Sequence, residues 1–190
     1  MSLSLRPALV TFLGLTAITG LAYPLVVTGC AALLFPGRAK GSLLVRDGQV
    51  QGSSLIAQDT TDPRYFWGRL SATGGFPTNA DASGGSNLAP TNPALAAAAQ
   101  ARLKALRAAD PGNLEPVPAD LVTGSGSGLD PDISPAAASY QAARVARARN
   151  LPKAEVLDRV ARCTEARQWG IFGEPRVNVL KLNLALDKPQ

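Results

Sequence analysis

No charged residue occurs between Pro7 and Gly37, and the run from Ala8 to Phe35 is rich in Leu, Val, Ala, Thr and Gly. A bilayer core of about 30 Å is crossed by roughly 20 helical residues, so this run is long enough to span with tilt. It predicts a single N-terminal transmembrane helix, with residues 1–37 as an anchor. Pro24, preceded by Tyr23, is expected to kink the helix or mark the end of its lipid-exposed part. A secretory signal peptide with Arg6 as its charged region competes with this reading, but the apolar run is too long for one. Val27-Thr28-Gly29-Cys30 also has the residue sizes of a bacterial lipoprotein cleavage box. The apolar stretch continues past Cys30 through Ala31, Leu33 and Phe35, where a lipoprotein turns polar. An uncleaved anchor is favoured, and Cys30 becomes a small apolar residue in lipid or at its edge. Arg6 on one side faces Arg38, Lys40 and Arg46 on the other, an imbalance too small to set orientation by the positive-inside rule.

After residue 37 the pattern becomes that of one mixed α/β soluble domain, residues 38–190, giving an α+β fold class overall. Leu43–Val45 and Gln49–Gln51 flank Asp47-Gly48, a tight-turn pair that predicts a hairpin, with Leu55–Gln58 extending its second strand. Residues 59–91 are dominated by Gly, Ser, Thr, Asn, Asp and Pro and predict a long ordered loop pinned by Tyr65, Phe66 and Trp67. Asn92-Pro93 and Ser134-Pro135 each pair a cap side chain with proline at the first helical position. They open helices through Ala109, stopped by Pro111-Gly112, and through about Arg149, stopped by Asn150 and Pro152. A third helix is expected from Lys153 to Gln168, with Val156, Leu157, Val160 and Cys163 on one face. Val177–Leu186 is expected to be a closing strand.

Composition narrows the chemistry. The 190 residues include no histidine, which removes zinc proteases and Ser-His-Asp hydrolases, and 46% apolar against 17% charged residues supports a folded core. A net charge of +5 with only 5% aromatics argues against nucleic acid as a partner. Two cysteines make neither a disulfide scaffold nor, without histidines, a metal site. Two loops concentrate backbone amides and hydroxyls able to form an anion-binding concavity: Ser83-Gly84-Gly85-Ser86-Asn87 and Gly124-Ser125-Gly126-Ser127-Gly128-Leu129-Asp130. Neither has a P-loop ending or a dinucleotide-fold context, and a structural turn that lets backbone pack closely is the plainer reading of both. Arg144 and Arg147 share a helix face suited to phosphate or a partner's carboxylates, or simply to solvent. A serine nucleophile at Ser125 or Ser127 would need Lys104, Lys153 or Lys181 beside it, and no supporting motif is present.

Leu5-Arg6-Pro7-Ala8, Tyr23-Pro24-Leu25, Gly41-Ser42-Leu43, Tyr65-Phe66, Arg69, Ser83–Leu88, Asp120-Leu121-Val122, Ser125–Pro131, Tyr140-Gln141, Arg144–Arg149 and Val177–Asn183 together resemble the C subunit of the bacterial Kdp potassium-transporting ATPase. The resemblance runs nearly end to end. It implies a non-catalytic accessory subunit in the cell inner membrane, working beside a channel-like potassium-binding subunit, an ATP-hydrolysing P-type subunit and a small membrane peptide. It further implies help in assembly and a catalytic-chaperone role that raises the ATP affinity of the hydrolysing subunit. No cofactor would be held stably, and ATP only transiently. Under that description the nucleotide-binding residues would be Ser83, Gly84, Gly85, Ser86, Asn87, Ser125, Gly126, Ser127, Gly128, Gln141, Arg144 and Arg147, with Gln58 as the alternative glutamine. Family architecture places the soluble domain outside the cytoplasm, where no ATP is available, so the competing expectation is a structural cap or gate at the potassium entrance. A lipid-anchored periplasmic binding protein is the more remote one. Asp132 stands where the family usually has histidine, which removes any titratable imidazole there.

Overall fold

The computed structural model describes residues 5–187 and divides the chain into two compact units, one ending at Val50 and the other beginning at Gln51. In the first unit, α1 (Leu5–Ala17), a π-helical turn (Ile18–Ala22) and α2 (Tyr23–Leu34) form one helical stretch of 30 residues. At about 1.5 Å per residue it is roughly 45 Å long, more than a bilayer core requires. None of it is buried. The break expected at Pro24 takes the form of the widened turn just before it, in which the N–H of Tyr23 reaches back five residues to the carbonyl of Ile18. Cys30 is exposed within α2, and the helix continues beyond it.

A short helix, α3 (Pro36–Ala39), leads to strands β1 (Leu43–Arg46) and β2 (Gln49–Ser53). Asp47 and Gly48 between them both have positive φ, 50° and 75°, as a two-residue hairpin turn of the primed type demands. The expected extension of β2 over Leu55–Gln58 does not form. Ser53 turns the chain instead, its hydroxyl accepting the N–H of Leu55 and its carbonyl that of Ile56.

The second unit is organised around α5. Residues 59–90 form a long ordered loop interrupted by a 3-10 turn at Ala80–Ala82, followed by α4 (Pro93–Ala109), β3 (Asp132–Ile133), α5 (Pro135–Arg149), α6 (Lys153–Cys163), β4 (Thr164–Glu165), β5 (Arg176–Asn178) and α7 (Val179–Leu186). Asn92 and Ser134 cap α4 and α5 as expected, and Asn150 closes α5 in the left-handed conformation. β5 lies between β3 and β4, antiparallel to both, with Val177 opposite Ile133 and Thr164. Alanines 137, 138, 142 and 146 of α5 are buried, so other elements approach its backbone closely on several sides. Val156, Val160, Val177, Leu182, Leu186, Phe66 and Leu121 fill the core around it.

Two expectations fail near the C-terminus. The third helix ends at Cys163 rather than Gln168, because Thr164 turns its hydroxyl back to the carbonyl of Val160 and enters β4. Val177–Leu186 is not one strand. Extended backbone stops at Asn178, whose side chain accepts the N–H of Lys181 and starts α7. The alternating leucines fit either period, and the helix buries Val179, Leu182 and Leu186, spaced by three and four, on one face. Truncating Leu182, which is fully buried in the core, to alanine is expected to cost about 2–5 kcal/mol. Chemical denaturation of the full chain in detergent measures this, and the exposed Leu114, replaced by alanine, serves as the contrast.

Candidate functional site

The structure brings the two glycine-serine loops together. The N–H and hydroxyl of Ser83-Gly84 both serve the carbonyl of Ser127, from Gly84 N at 2.9 Å and from Ser83 Oγ at 3.1 Å. A side chain at Gly85 would stand 3.0 Å from the carbonyl oxygen of Gly126, and one at Gly128, where φ is 67°, would stand 2.8 Å from that of Gly84. These glycines permit close backbone approach. Several polar groups of an anion cradle are already engaged: Ser125 N–H donates to the Leu70 carbonyl, and the Ser127 hydroxyl accepts the N–H of Leu129. Ser125 is buried and its Oγ has no hydrogen-bond partner among the described residues. Ser86, Asn87, Gly126 and Ser127 form the exposed rim. Arg69 reaches this region from the long loop and pairs with Asp130 at 2.9 Å.

Gln141 and Arg144 lie apart from those loops in function, because α5 uses them to hold the segment 63–68. This segment buries Phe66 and Trp67 without a strand beside it, and buried backbone polar groups must be paired. Side-chain amides replace the missing strand. Gln141, 1% exposed, accepts the N–H of Trp67 at 2.9 Å and donates to its carbonyl at 3.1 Å. Asn183 of α7 does the same for Phe66, at 2.8 and 3.0 Å. Arg144 is buried, not on a solvated face: it donates to the Pro63 carbonyl and to Gln141 Oε1, both at 2.7 Å, and lies 4.5 Å from the centre of the Trp67 ring. Burial lowers the Arg144 guanidinium to about 10. Arg147 is exposed and pairs with the buried carboxylate of Asp110. Arg149 binds the carbonyls of Arg64 and Leu186 and the Asp187 carboxylate.

One participant carried no signal in the sequence. Arg102, in the alanine-rich α4, donates to the carbonyls of Leu121 and Gly68 and lies 5.2 Å from the Trp67 ring centre. Gln58 lines a cavity of about 270 Å³ with Gln51, Asp59, Thr60, Tyr65 and Asp187, and its amide donates to the Gln51 carbonyl. Asp132 is half-buried in β3. Burial first, then the neighbouring Asp130, pushes its carboxyl up, against the pull of Arg176 at 3.2 Å. Among the described residues no group of three or more His, Cys, Asp or Glu is placed to hold a metal ion.

Comparison with known proteins follows the same end-to-end course. A family profile described as K+-transporting ATPase, c chain, matches residues 5–188. The chain is 67% identical over 183 residues to the "Potassium-transporting ATPase KdpC subunit" of Polaromonas naphthalenivorans, covering 96% of this chain and 93% of the relative. It is 66% identical over 183 residues to the protein of the same name from Variovorax paradoxus, covering 96% and 95%. The corresponding protein of Methylococcus capsulatus is 65% identical over 182 residues, covering 96% of each chain.

Replacing Gln141 by alanine is expected to destabilise the second unit by about 1–3 kcal/mol, since it orphans the buried N–H of Trp67; denaturant midpoints check this. Asp62 supplies a pH-dependent counterpart. Hydrogen bonds from Arg64 lower its carboxyl from 3.8 to about 2. A carboxylate depressed by folding stabilises above its unfolded pKa and ceases to do so as pH falls through the folded one. The stability gap between wild type and Asp62→Asn should hold above about pH 4 and close toward about pH 2 in acid titrations followed by circular dichroism.

Proposed function

The chain belongs to the K+-transporting ATPase c chain family, and from that premise we propose that it acts as a membrane-anchored structural cap that assists assembly of the potassium uptake complex. Its family makes it a non-catalytic subunit of that complex. The carrying observation is the contrast between its two parts: an apolar helix with nothing buried, and a unit whose polar interior is committed to its own backbone. A single span cannot surround a dehydrated ion, because a pathway needs several segments to replace the hydration shell. The helix Leu5–Leu34 is compatible with one membrane crossing. In the inner membrane it would confine the second unit to the plane of its partners and raise its effective concentration beside them.

The finer role, raising the ATP affinity of the hydrolysing subunit, has less support from the geometry. Gln141 and Arg144 serve the segment 63–68, and the amides of Gly84 and Ser125 serve neighbouring carbonyls. A nucleotide would meet the rim formed by Ser86, Asn87, Gly126 and Ser127, with Arg147 already paired. We therefore favour a cap on the extracytoplasmic side, next to the potassium-binding and ATP-hydrolysing subunits and the small peptide, with no nucleotide contact. Deleting residues 1–37 is expected to abolish copurification with the other subunits in detergent. Undiminished recovery of the truncated chain in the complex would overturn the proposal.

A further inference from the structure

Between β4 and β5 the chain projects a loop whose tip has apolar side chains without cover. Trp169, Ile171 and Phe172 are 81%, 73% and 58% exposed. The tip has a defined shape. Gln168 and Phe172 exchange backbone hydrogen bonds at 2.9 and 3.0 Å, and Gly170 N–H donates to the Arg167 carbonyl at 3.1 Å. The rings of Trp169 and Phe172 meet edge to face with centres 6.0 Å apart. Gly170 and Gly173 take left-handed φ values without penalty, but Trp169 does so as well, at 54°. For a bulky side chain that conformation is costly and is retained where its surroundings use it. Within its own chain, Trp169 buries almost nothing in return.

Resting on the proposed membership of a transport complex, we infer that this aromatic tip is an anchor that inserts into an apolar pocket on another subunit of the same complex. Charge distinguishes this occupant from lipid. Residues 168–173 carry no charge. The neighbouring cations are each paired: Arg167 with Glu174, Arg176 with Asp132 and Glu165, and Lys181 with Glu165. Segments that lie on membranes instead present free Lys or Arg to anionic headgroups. Size distinguishes it from a second copy. Three side chains, each burying at most about 150–250 Å² and already partly covered by their own chain, fall short of the roughly 800 Å² that each partner of a stable interface buries. They suffice as a central anchor for a chain already concentrated beside its partner by a membrane helix.

The test uses the full chain in the intact complex. A photoreactive benzoylphenylalanine at position 169 is expected to form, on illumination of membranes, an adduct with a different subunit. Trp169→Asn keeps a residue that adopts left-handed φ readily and removes the aromatic anchor. It is expected to leave the thermal midpoint of the isolated chain unchanged and to weaken retention in the solubilised complex by at least about tenfold. Adducts to lipid alone, an adduct of twice the chain's mass, no adduct while the chain remains in the complex, or full retention of Trp169→Asn would each overturn the anchor. A wild-type chain that fails to copurify with the pump would overturn the proposed function itself, and the anchor with it.

Discussion

Everything in the second unit depends on how segment 63–68 is held. It places two aromatic side chains in the core while its own backbone stays irregular, a combination that leaves amides and carbonyls buried without a ladder. Asn183 and Gln141, on two different helices, each offer a carboxamide that mimics a neighbouring strand for one residue. Arg144 and Arg102 then bind the carbonyls on either side and lie over Trp67, whose ring accommodates both cations through its electron-rich face. The network ties α4, α5 and α7 to one loop. Because low dielectric strengthens satisfied polar networks and penalises incomplete ones, such a junction fixes a single arrangement of the helices.

The same commitment decides what the polar residues are free to do. Glycine-serine loops and an arginine-bearing helix suggest a phosphate site when their residues are considered separately. Folded together, the loops use their glycines to approach one another, with Gly84 donating its N–H across the gap to the Ser127 carbonyl and Gly85 and Gly128 leaving no room for a side chain beside the backbone oxygens opposite. The helix turns Gln141 and Arg144 inward. Residues that look like ligand groups in a sequence are here the partners of a loop more than seventy positions away.

Much of the architecture was legible because it rests on local chemistry. The absence of charge between Arg6 and Arg38 marked the apolar helix; Asn92-Pro93, Ser134-Pro135 and Asn150 marked helix ends by capping; Asp47-Gly48 marked the hairpin. Legibility failed where a tertiary partner chose between two local options. The leucines after Asn178 suit a strand or a helix, and burial against α6 and β5 selects the helix. Thr164 leaves α6 because β5 is there to pair with it. Nothing in the neighbours of Arg102, Gln141 or Asn183 along the chain announces that their partners are Gly68, Trp67 and Phe66, since those pairings exist only after the long loop has folded back.

The widened turn at Ile18–Ala22 has a geometric corollary for whatever surrounds the N-terminal rod. Successive residues of a helix are about 100° apart around its axis, so one residue more in a single turn rotates everything beyond it by about that angle. A line of side chains followed along one face from Leu5 therefore does not continue into the line that begins at Tyr23. The rod offers two half-height faces pointing in different directions, and a straight neighbouring helix can follow only one of them.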